Sequence, residues 1–214
     1  MRNCNQPIAV EGYPFIGLFA FLTLVFALLN WTFLTVLLLV LTLFSVYFFR
    51  NPDRTVPQGQ NLVISPADGK VVYVGKVQEE RLLHTEMNKV SIFMSVFNVH
   101  VNRVPISGKV VDQFYNKGQF LNAALDKASL ENEQAGMVLE TPSGAKLLVV
   151  QIAGLIARRI VTYPVVGDLL EQGQRYGLIR FGSRLDVYLP ANAELKVGLG
   201  DRCVAGETIL GQLK

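Results

Sequence analysis

Arg180-Phe181-Gly182-Ser183-Arg184-Leu185-Asp186-Val187-Tyr188-Leu189-Pro190 alternates apolar and polar residues once past its glycine. Leu185, Val187 and Leu189 fall on one side and Asp186 and Tyr188 on the other, the period of a half-buried strand. Gly182 carries no Cβ, so it can take unusual backbone angles and admit another group close to its carbonyl. Ser183 puts a hydroxyl beside that carbonyl, and in a bent backbone the hydroxyl can attack it. Taken alone, the dipeptide reads as a glycine kink or bulge with a hydrogen-bonding serine. The rest of the chain decides between the two.

Working outward, the 214 residues suit one domain plus an appendage. Half of them are hydrophobic, and the excess is concentrated in Phe15 to Phe49, a run of 35 residues without a charge. A bilayer core takes roughly 20 helical residues to cross. The run is too long for one span and slightly short for two. Its most polar break is Asn30-Trp31-Thr32, which predicts a tight helical hairpin over about residues 14–29 and 33–49. Arg2 precedes the run and Arg50 and Arg54 follow it, so both ends are expected on the cytoplasmic side. A single tilted span is the second reading. The run is too long for a signal peptide and no small-residue cleavage site follows it. The expected organisation is a polar N-terminus (1–14), a membrane-embedded hairpin (15–49), a juxtamembrane linker (50–60) ended by Pro52 and Pro57, and a β-rich domain (61–214).

Net charge of +3 gives no argument for nucleic acid, though a mildly basic surface suits an anionic membrane. Cys4 and Cys203 fit neither a metal spacing nor a disulfide framework and read as free thiols. Within the β-rich domain, strands are expected at Leu62–Ile64, Lys70–Val77, Lys89–Phe97, Gly108–Tyr115, Met137–Thr141 and Lys146–Ile152. Asp68 sits in the Ser65-Pro66-Ala67-Asp68-Gly69 turn, where an Asx-type cap is the local expectation. His100 lies in an apolar setting beside Asn98, Asn102 and Arg103; it reads as a satisfied core histidine or as an acid–base group. Residues 119–136 read as a polar loop with a short helix around Asn122 to Leu130. Arg158 and Arg159 are either solvated or bind an anionic headgroup. The glycine-rich tail from Val197 to Gly211 resembles biotinyl- or lipoyl-type barrels, but it lacks their modified lysine.

Six segments now stand in order behind the apolar run: FFRNPDR (48–54), SPADGKV (65–71), FMSVFNVHVNRVP (93–105), QIAGLIARRIV (151–161), YGLIRFGSRLDVYLP (176–190) and GDRCVAGETILG (200–211). Each is weak alone. As an ordered set covering nearly all of 48–214, they resemble the short bacterial and archaeal type of phosphatidylserine decarboxylase. That resemblance implies a mainly β (α+β), barrel- or sandwich-like catalytic domain with an N-terminal hydrophobic helical hairpin. It implies self-cleavage between Gly182 and Ser183 into chains 1–182 and 183–214, with Ser183 becoming a covalent pyruvoyl group. The ketone would form a Schiff base with phosphatidylserine, CO₂ would leave, and phosphatidylethanolamine would be released, with no pyridoxal phosphate and no metal.

By the same resemblance Asp68 matches an aspartate tied to self-cleavage and His100 a histidine tied to decarboxylation. Longer relatives carry a second histidine where this chain has Arg103, which cannot serve as an ordinary base. They also often have threonine where Arg184 follows the cleaved bond. Arg103, Arg158, Arg159 and Arg184 are the candidate contacts to phosphate or carboxylate. The implied partners are a phospholipid in the inner membrane and the two chains of one precursor. A homo-oligomer and a related lipid such as archaetidylserine stay open. Two rival readings also stay open: an uncut, membrane-anchored β-barrel module that binds lipid or a partner, and a hydrolase or transferase using Ser183 directly. The second lacks a G-x-S-x-G elbow.

Overall fold

A computed structural model of the chain describes residues 6–118, 132–154, 159–180 and 183–214. Two compact units divide it, Met1–Asp53 and Arg54–Lys214.

The first unit is a helical hairpin of α1 (Tyr13–Leu28) and α2 (Thr32–Phe48). Pro14 opens α1, where its missing N–H costs no helical bond. Three residues join the helices, and Asn30 turns the chain with φ 58°, a left-handed conformation that asparagine tolerates. Both helices are apolar on every side. No α1 residue is buried, and Leu18, Phe21, Leu24 and Leu28 are all exposed. Val10–Leu28 has mean hydropathy 1.7 and is long and apolar enough to cross a membrane; Thr32–Phe48 is a shorter apolar helix. At the hairpin's end the Arg50 guanidinium lies 3.8 Å from the centre of the Tyr47 ring. Asn51 Nδ2 donates to the Gln6 carbonyl at 2.9 Å.

The second unit holds all fourteen strands that the described residues form. They are β1 (Leu62–Ile64), β2 (Gly69–Glu79), β3 (Thr85–Met94), β4 (Val101–Arg103), β5 (Gly108–Asn116), β6 (Gln134–Glu140) and β7 (Lys146–Ile152), then β8 (Ile160–Thr162), β9 (Leu169–Leu170), β10 (Arg175–Ile179), β11 (Ser183–Pro190), β12 (Glu194–Leu195), β13 (Arg202–Cys203) and β14 (Ile209–Gln212). Eight of them form one sheet in the order β13-β2-β3-β11-β7-β6-β5-β9. Two three-stranded sheets, β4-β10-β8 and β1-β14-β12, complete the unit. The large sheet curls into half a barrel. Register shifts at Val71/Tyr73 and Val110/Asp112 mark bulges, which sharpen twist and help the sheet bend. Mainly β architecture behind an apolar helical hairpin is therefore the observed fold.

Three local expectations change. The strand expected over Lys89–Phe97 runs from Thr85 to Met94 instead. Asn98 Oδ1 accepts from both the N–H and the hydroxyl of Ser95 at 2.8 Å, and this local turn ends the strand. Gln134 to Gly136, read as the end of a loop, belong to β6; the expected helix near Asn122 to Leu130 lies outside the described residues.

The third change concerns β11, which is buried on both faces rather than half-buried. Leu185, Val187 and Leu189 enter the main core, and Arg184 and Asp186 on the other face are 2% and 0% exposed. β11 is a central strand between β3 and β7. On its polar face, Leu82 and Leu83 pack with Val138, Leu148, Val150, Ile152 and Tyr188 into a second apolar cluster. Alternation therefore separates a core face from a polar but covered face.

Candidate active site

Ser183 is the first residue of β11, and its partner across the ladder is Met94 at the end of β3. Period-two alternation puts Ser183 on the face of Leu185 and Val187, toward the main core. The residue is 0% exposed, and its Oγ has no hydrogen-bond partner among the described residues. An unsatisfied buried hydroxyl costs about 1–3 kcal/mol. Its placement is thus a cost to the fold that a chemical role can explain. Gly182 lies outside the described residues.

His100 immediately precedes β4 and is 1% exposed. Its Nδ1 lies 3.0 Å from the Asn98 carbonyl oxygen. A carbonyl only accepts, so Nδ1 carries the hydrogen and Nε2 is the basic nitrogen of the neutral ring. The His100 carbonyl accepts from Ile179 N–H at 3.4 Å, and Val101 pairs with Leu178. These contacts set His100 beside the end of β10, the strand that leads through residues 180–182 to Ser183.

Asp68 sits elsewhere in the hydrogen-bond network. Ser65, not Asp68, closes the local turn: its hydroxyl donates to the Ala67 carbonyl at 2.7 Å. The Asp68 carboxylate instead accepts two bonds from Arg54 Nη2 at 2.9 and 3.2 Å, and Oδ1 accepts Ala205 N–H at 2.8 Å. Among the described residues, then, no hydrogen-bonded Asp–His–Ser chain links Asp68, His100 and Ser183. Arg103 joins the Asp68 side. A Cβ built on Gly206 would stand 2.9 Å from Arg103 Cδ and 3.2 Å from Arg54 Cβ, so both arginines pack on that glycine. Arg103 Nη1 donates to the Gly173 carbonyl at 2.9 Å. Asn102 and Arg103, neighbours in β4, point to opposite faces. No sequence spacing links residue 54 to residue 68 or to residue 205, so the Arg54–Asp68–Ala205 contact could not be read before the fold.

Of the remaining arginines, Arg159 is exposed, and its carbonyl accepts from Arg180 N–H at 3.3 Å. Arg158 lies outside the described residues. Arg184 points to the face opposite Ser183 and binds a carboxylate of its own strand. Its Nε and Nη2 donate to Asp186 at 2.6 and 3.0 Å, and Lys89 Nζ reaches the same carboxylate at 3.0 Å. The signal for this pair was present in the alternation, because residues two apart share a strand face. A pocket of about 210 Å³ opens on that face, lined by Glu79, Arg81, Lys89, Gln134, Asp186 and Tyr188 among others. The sheet separates it from Ser183.

Cys203 in β13 is a buried free thiol. Burial pushes its thiol up to about 11. It is therefore expected to stay protonated at pH 8 and to resist iodoacetamide in the folded protein, then react rapidly once the chain is unfolded in guanidinium. Peptide mapping that finds Cys203 alkylated within minutes under native conditions would contradict its burial.

Comparison with known proteins decides what this arrangement belongs to. The family model for phosphatidylserine decarboxylase matches residues 41–211. The chain belongs to the phosphatidylserine decarboxylase family. It is 69% identical over 214 residues to the phosphatidylserine decarboxylase proenzyme of Syntrophotalea carbinolica, covering 100% of both chains. Identity to the proenzymes of Geotalea uraniireducens and Geobacter metallireducens is 63% over 213 residues and 60% over 218, again at full coverage. Membership of the decarboxylase family makes a buried, unsatisfied serine at the head of a central strand a candidate nucleophile. A hydrogen bond from that hydroxyl to the core would be the ordinary structural arrangement, and it is missing among the described residues.

Proposed function

We propose that this chain is a precursor that cuts its own Gly182–Ser183 bond and matures into a pyruvoyl-dependent enzyme converting phosphatidylserine to phosphatidylethanolamine and CO₂. The observation that carries the reading is the Ser183 hydroxyl, fully enclosed and without a hydrogen-bond partner among the described residues. The proenzyme names of the relatives support it.

Self-cleavage needs only chain atoms and one water. Ser183 Oγ adds to the preceding carbonyl, the C–N bond breaks, and the acyl group moves from nitrogen to oxygen. Loss of the Ser183 α-proton then expels the 1–182 chain as a carboxylic acid and leaves dehydroalanine. Water converts that residue to a pyruvoyl group and ammonia. The site fits the group, since the orphaned Oγ sits at the strand end that would become the new N-terminus. When present, the pyruvoyl ketone supplies an electron-accepting carbonyl for the substrate amine. His100, with Nδ1 hydrogen-bonded to Asn98, holds its proton-exchanging Nε2 in a dry setting suited to returning a proton to the substrate carbon. Asp68, with Arg54 and the Ala205 N–H, braces the turn that opens β2.

The apolar hairpin accounts for the substrate's location. A diacyl lipid leaves a bilayer reluctantly, at about 0.8 kcal/mol per buried CH₂. Embedding Tyr13–Leu28 and Thr32–Phe48 from the cytoplasmic side keeps the catalytic unit at the headgroup layer. Arg103, Arg158 and Arg159 are the cations offered to the lipid phosphate.

The test is intact-mass spectrometry of the freshly purified protein. The expected result is two chains, 1–182 and 183–214, the smaller without a free amine and reducible by borohydride in the presence of an amine. A single full-length mass, stable in phosphatidylserine vesicles, overturns the reading.

A further inference from the structure

The outer face of the large sheet, behind Ser183, carries polar groups that the fold itself leaves under-used. Lys89, Ser91, Asp186 and Tyr188 share that face, because Lys89 pairs with Tyr188 and Ser91 with Asp186 across the β3–β11 ladder. Ser91 is 0% exposed, and its Oγ has no hydrogen-bond partner among the described residues. The Lys89 side chain is 12% exposed. Its ammonium has three N–H donors and, among the described residues, one carboxylate contact, Asp186 at 3.0 Å. The Tyr73 and Tyr188 rings stand 5.5 and 5.4 Å from it. The Tyr188 hydroxyl makes no hydrogen bond among the described residues. Burial pushes its pKa above the ordinary value, so it stays a proton donor at neutral pH.

The pocket of about 210 Å³ on this face is lined by Lys89, Asp186 and Tyr188 together with Glu79, Arg81 and Gln134. Both buried acids are already committed. Arg184 chelates Asp186 through Nε and Nη2 at 2.6 and 3.0 Å. Glu79 accepts the backbone N–H groups of Arg81, Leu82 and Leu83 at 2.9, 3.0 and 2.6 Å. Glu80 also lines the pocket but is exposed, where water and salt screen its charge. What remains for a guest is donor capacity and positive charge: the Lys89 ammonium, the Tyr188 hydroxyl and the field of the Arg81 guanidinium. A cationic guest would meet satisfied acids and like charges. An apolar guest would leave the ammonium's spare donors unmet. The complementary guest is an oxyanion. The donors approach from β3, from β11 and from the turn after β2, and a tetrahedral phosphate offers oxygens in as many directions where a planar carboxylate offers two. Size agrees, since pockets for drug-sized ligands start at about 300 Å³.

We propose that this pocket is a second anion site, which binds a phosphate group through Lys89 and Tyr188 with Arg81, on the side of the sheet opposite Ser183. The site goes beyond the proposed self-processing and is the same in the cut and the uncut chain. Its phosphate comes from a lipid headgroup or from solution.

Isothermal titration calorimetry of the full chain, in maltoside detergent and phosphate-free buffer, tests the site. The probes are sodium phosphate, glycerophosphoglycerol as a deacylated headgroup, and sodium chloride at matched ionic strength. Saturable binding of at least one phosphate probe is expected, with none of chloride. Tighter binding of glycerophosphoglycerol identifies a headgroup site, and tighter binding of sodium phosphate a site for free phosphate; either supports the inference. Lys89→Met is expected to raise the Kd about 10- to 150-fold, the worth of one hydrogen bond to a charged group. Tyr188→Phe is expected to raise it about 2- to 10-fold, the worth of one neutral hydrogen bond. Absence of saturable binding by both phosphate probes overturns the site, as does a wild-type Kd in Lys89→Met, which would put the anion elsewhere on the chain. If Lys89→Met fails to fold, Tyr188→Phe decides, because it removes a single oxygen, and a wild-type Kd there overturns the site. Calorimetry reads binding and not cleavage, so a failure here leaves the decarboxylase reading standing.

Discussion

Ser183→Ala is expected to leave a single uncut chain and to abolish decarboxylation, with cleavage falling by at least roughly 10³-fold, the scale of losing an enzyme nucleophile. The same substitution is expected to keep or raise stability. Most core truncations destabilise, but here the lost atom is a buried oxygen with no hydrogen-bond partner among the described residues. Removing it relieves about 1 kcal/mol of unmet hydrogen bonding and opens little space. The two readouts are a gel for the chain pattern and thermal unfolding in detergent, with freshly synthesised, not yet split wild-type chain as the reference. Cutting at 182/183 in the alanine variant would sink the nucleophile assignment. A melting temperature several degrees below the reference would show that the hydroxyl has a structural partner.

Asp186→Ala is expected to be the most destabilising single change on β11. Asp186 is 0% exposed and carries the charge that Arg184 and Lys89 both approach. Removing it takes away the carboxylate that Arg184 and Lys89 both approach on a covered sheet face, and deleting one partner of a buried pair costs about 3–5 kcal/mol. For a unit of this size, that is a fall in melting temperature of roughly 10 °C. The loss is also expected to slow self-cleavage, because Arg184 adjoins Ser183 and pairs with Phe93 and Ile152 in the ladder. Asp186→Asn keeps shape and an acceptor and is expected to lose less. If Asp186→Ala melts within a degree or two of the wild type, the cluster is an ordinary solvated ion pair and its burial contributes nothing.

Much of this organisation was legible in the residues. A 35-residue run without a charge has few alternatives to an apolar hairpin, and its polar break at Asn30-Trp31-Thr32 coincides with the observed turn. Strand positions were legible wherever turn chemistry was local. Leu62–Ile64 and Lys146–Ile152 stand at their expected bounds, and the turn between β6 and β7 is closed by Gly144 at φ 82°. Boundaries failed where a side chain, not a glycine or proline, ended the element, as Asn98 does for β3.

The chain's order of segments determined the family, and the Gly-Ser bond marked the place to look for the nucleophile. Tertiary structure alone decided what each polar residue does there. Alternation says that Arg184 and Asp186 share a face, but only the tertiary packing on that side, where Leu82 and Leu83 join the second apolar cluster, leaves the two side chains buried. Asp68 bonds to Arg54 and Ala205, and Asn102 joins Gln151, Thr162 and Met94, through contacts spanning up to 137 positions of chain. Local sequence encodes period and turn. Hydrogen-bond partners across sheets depend on which strands become neighbours, and that is settled only when the whole core is buried at once.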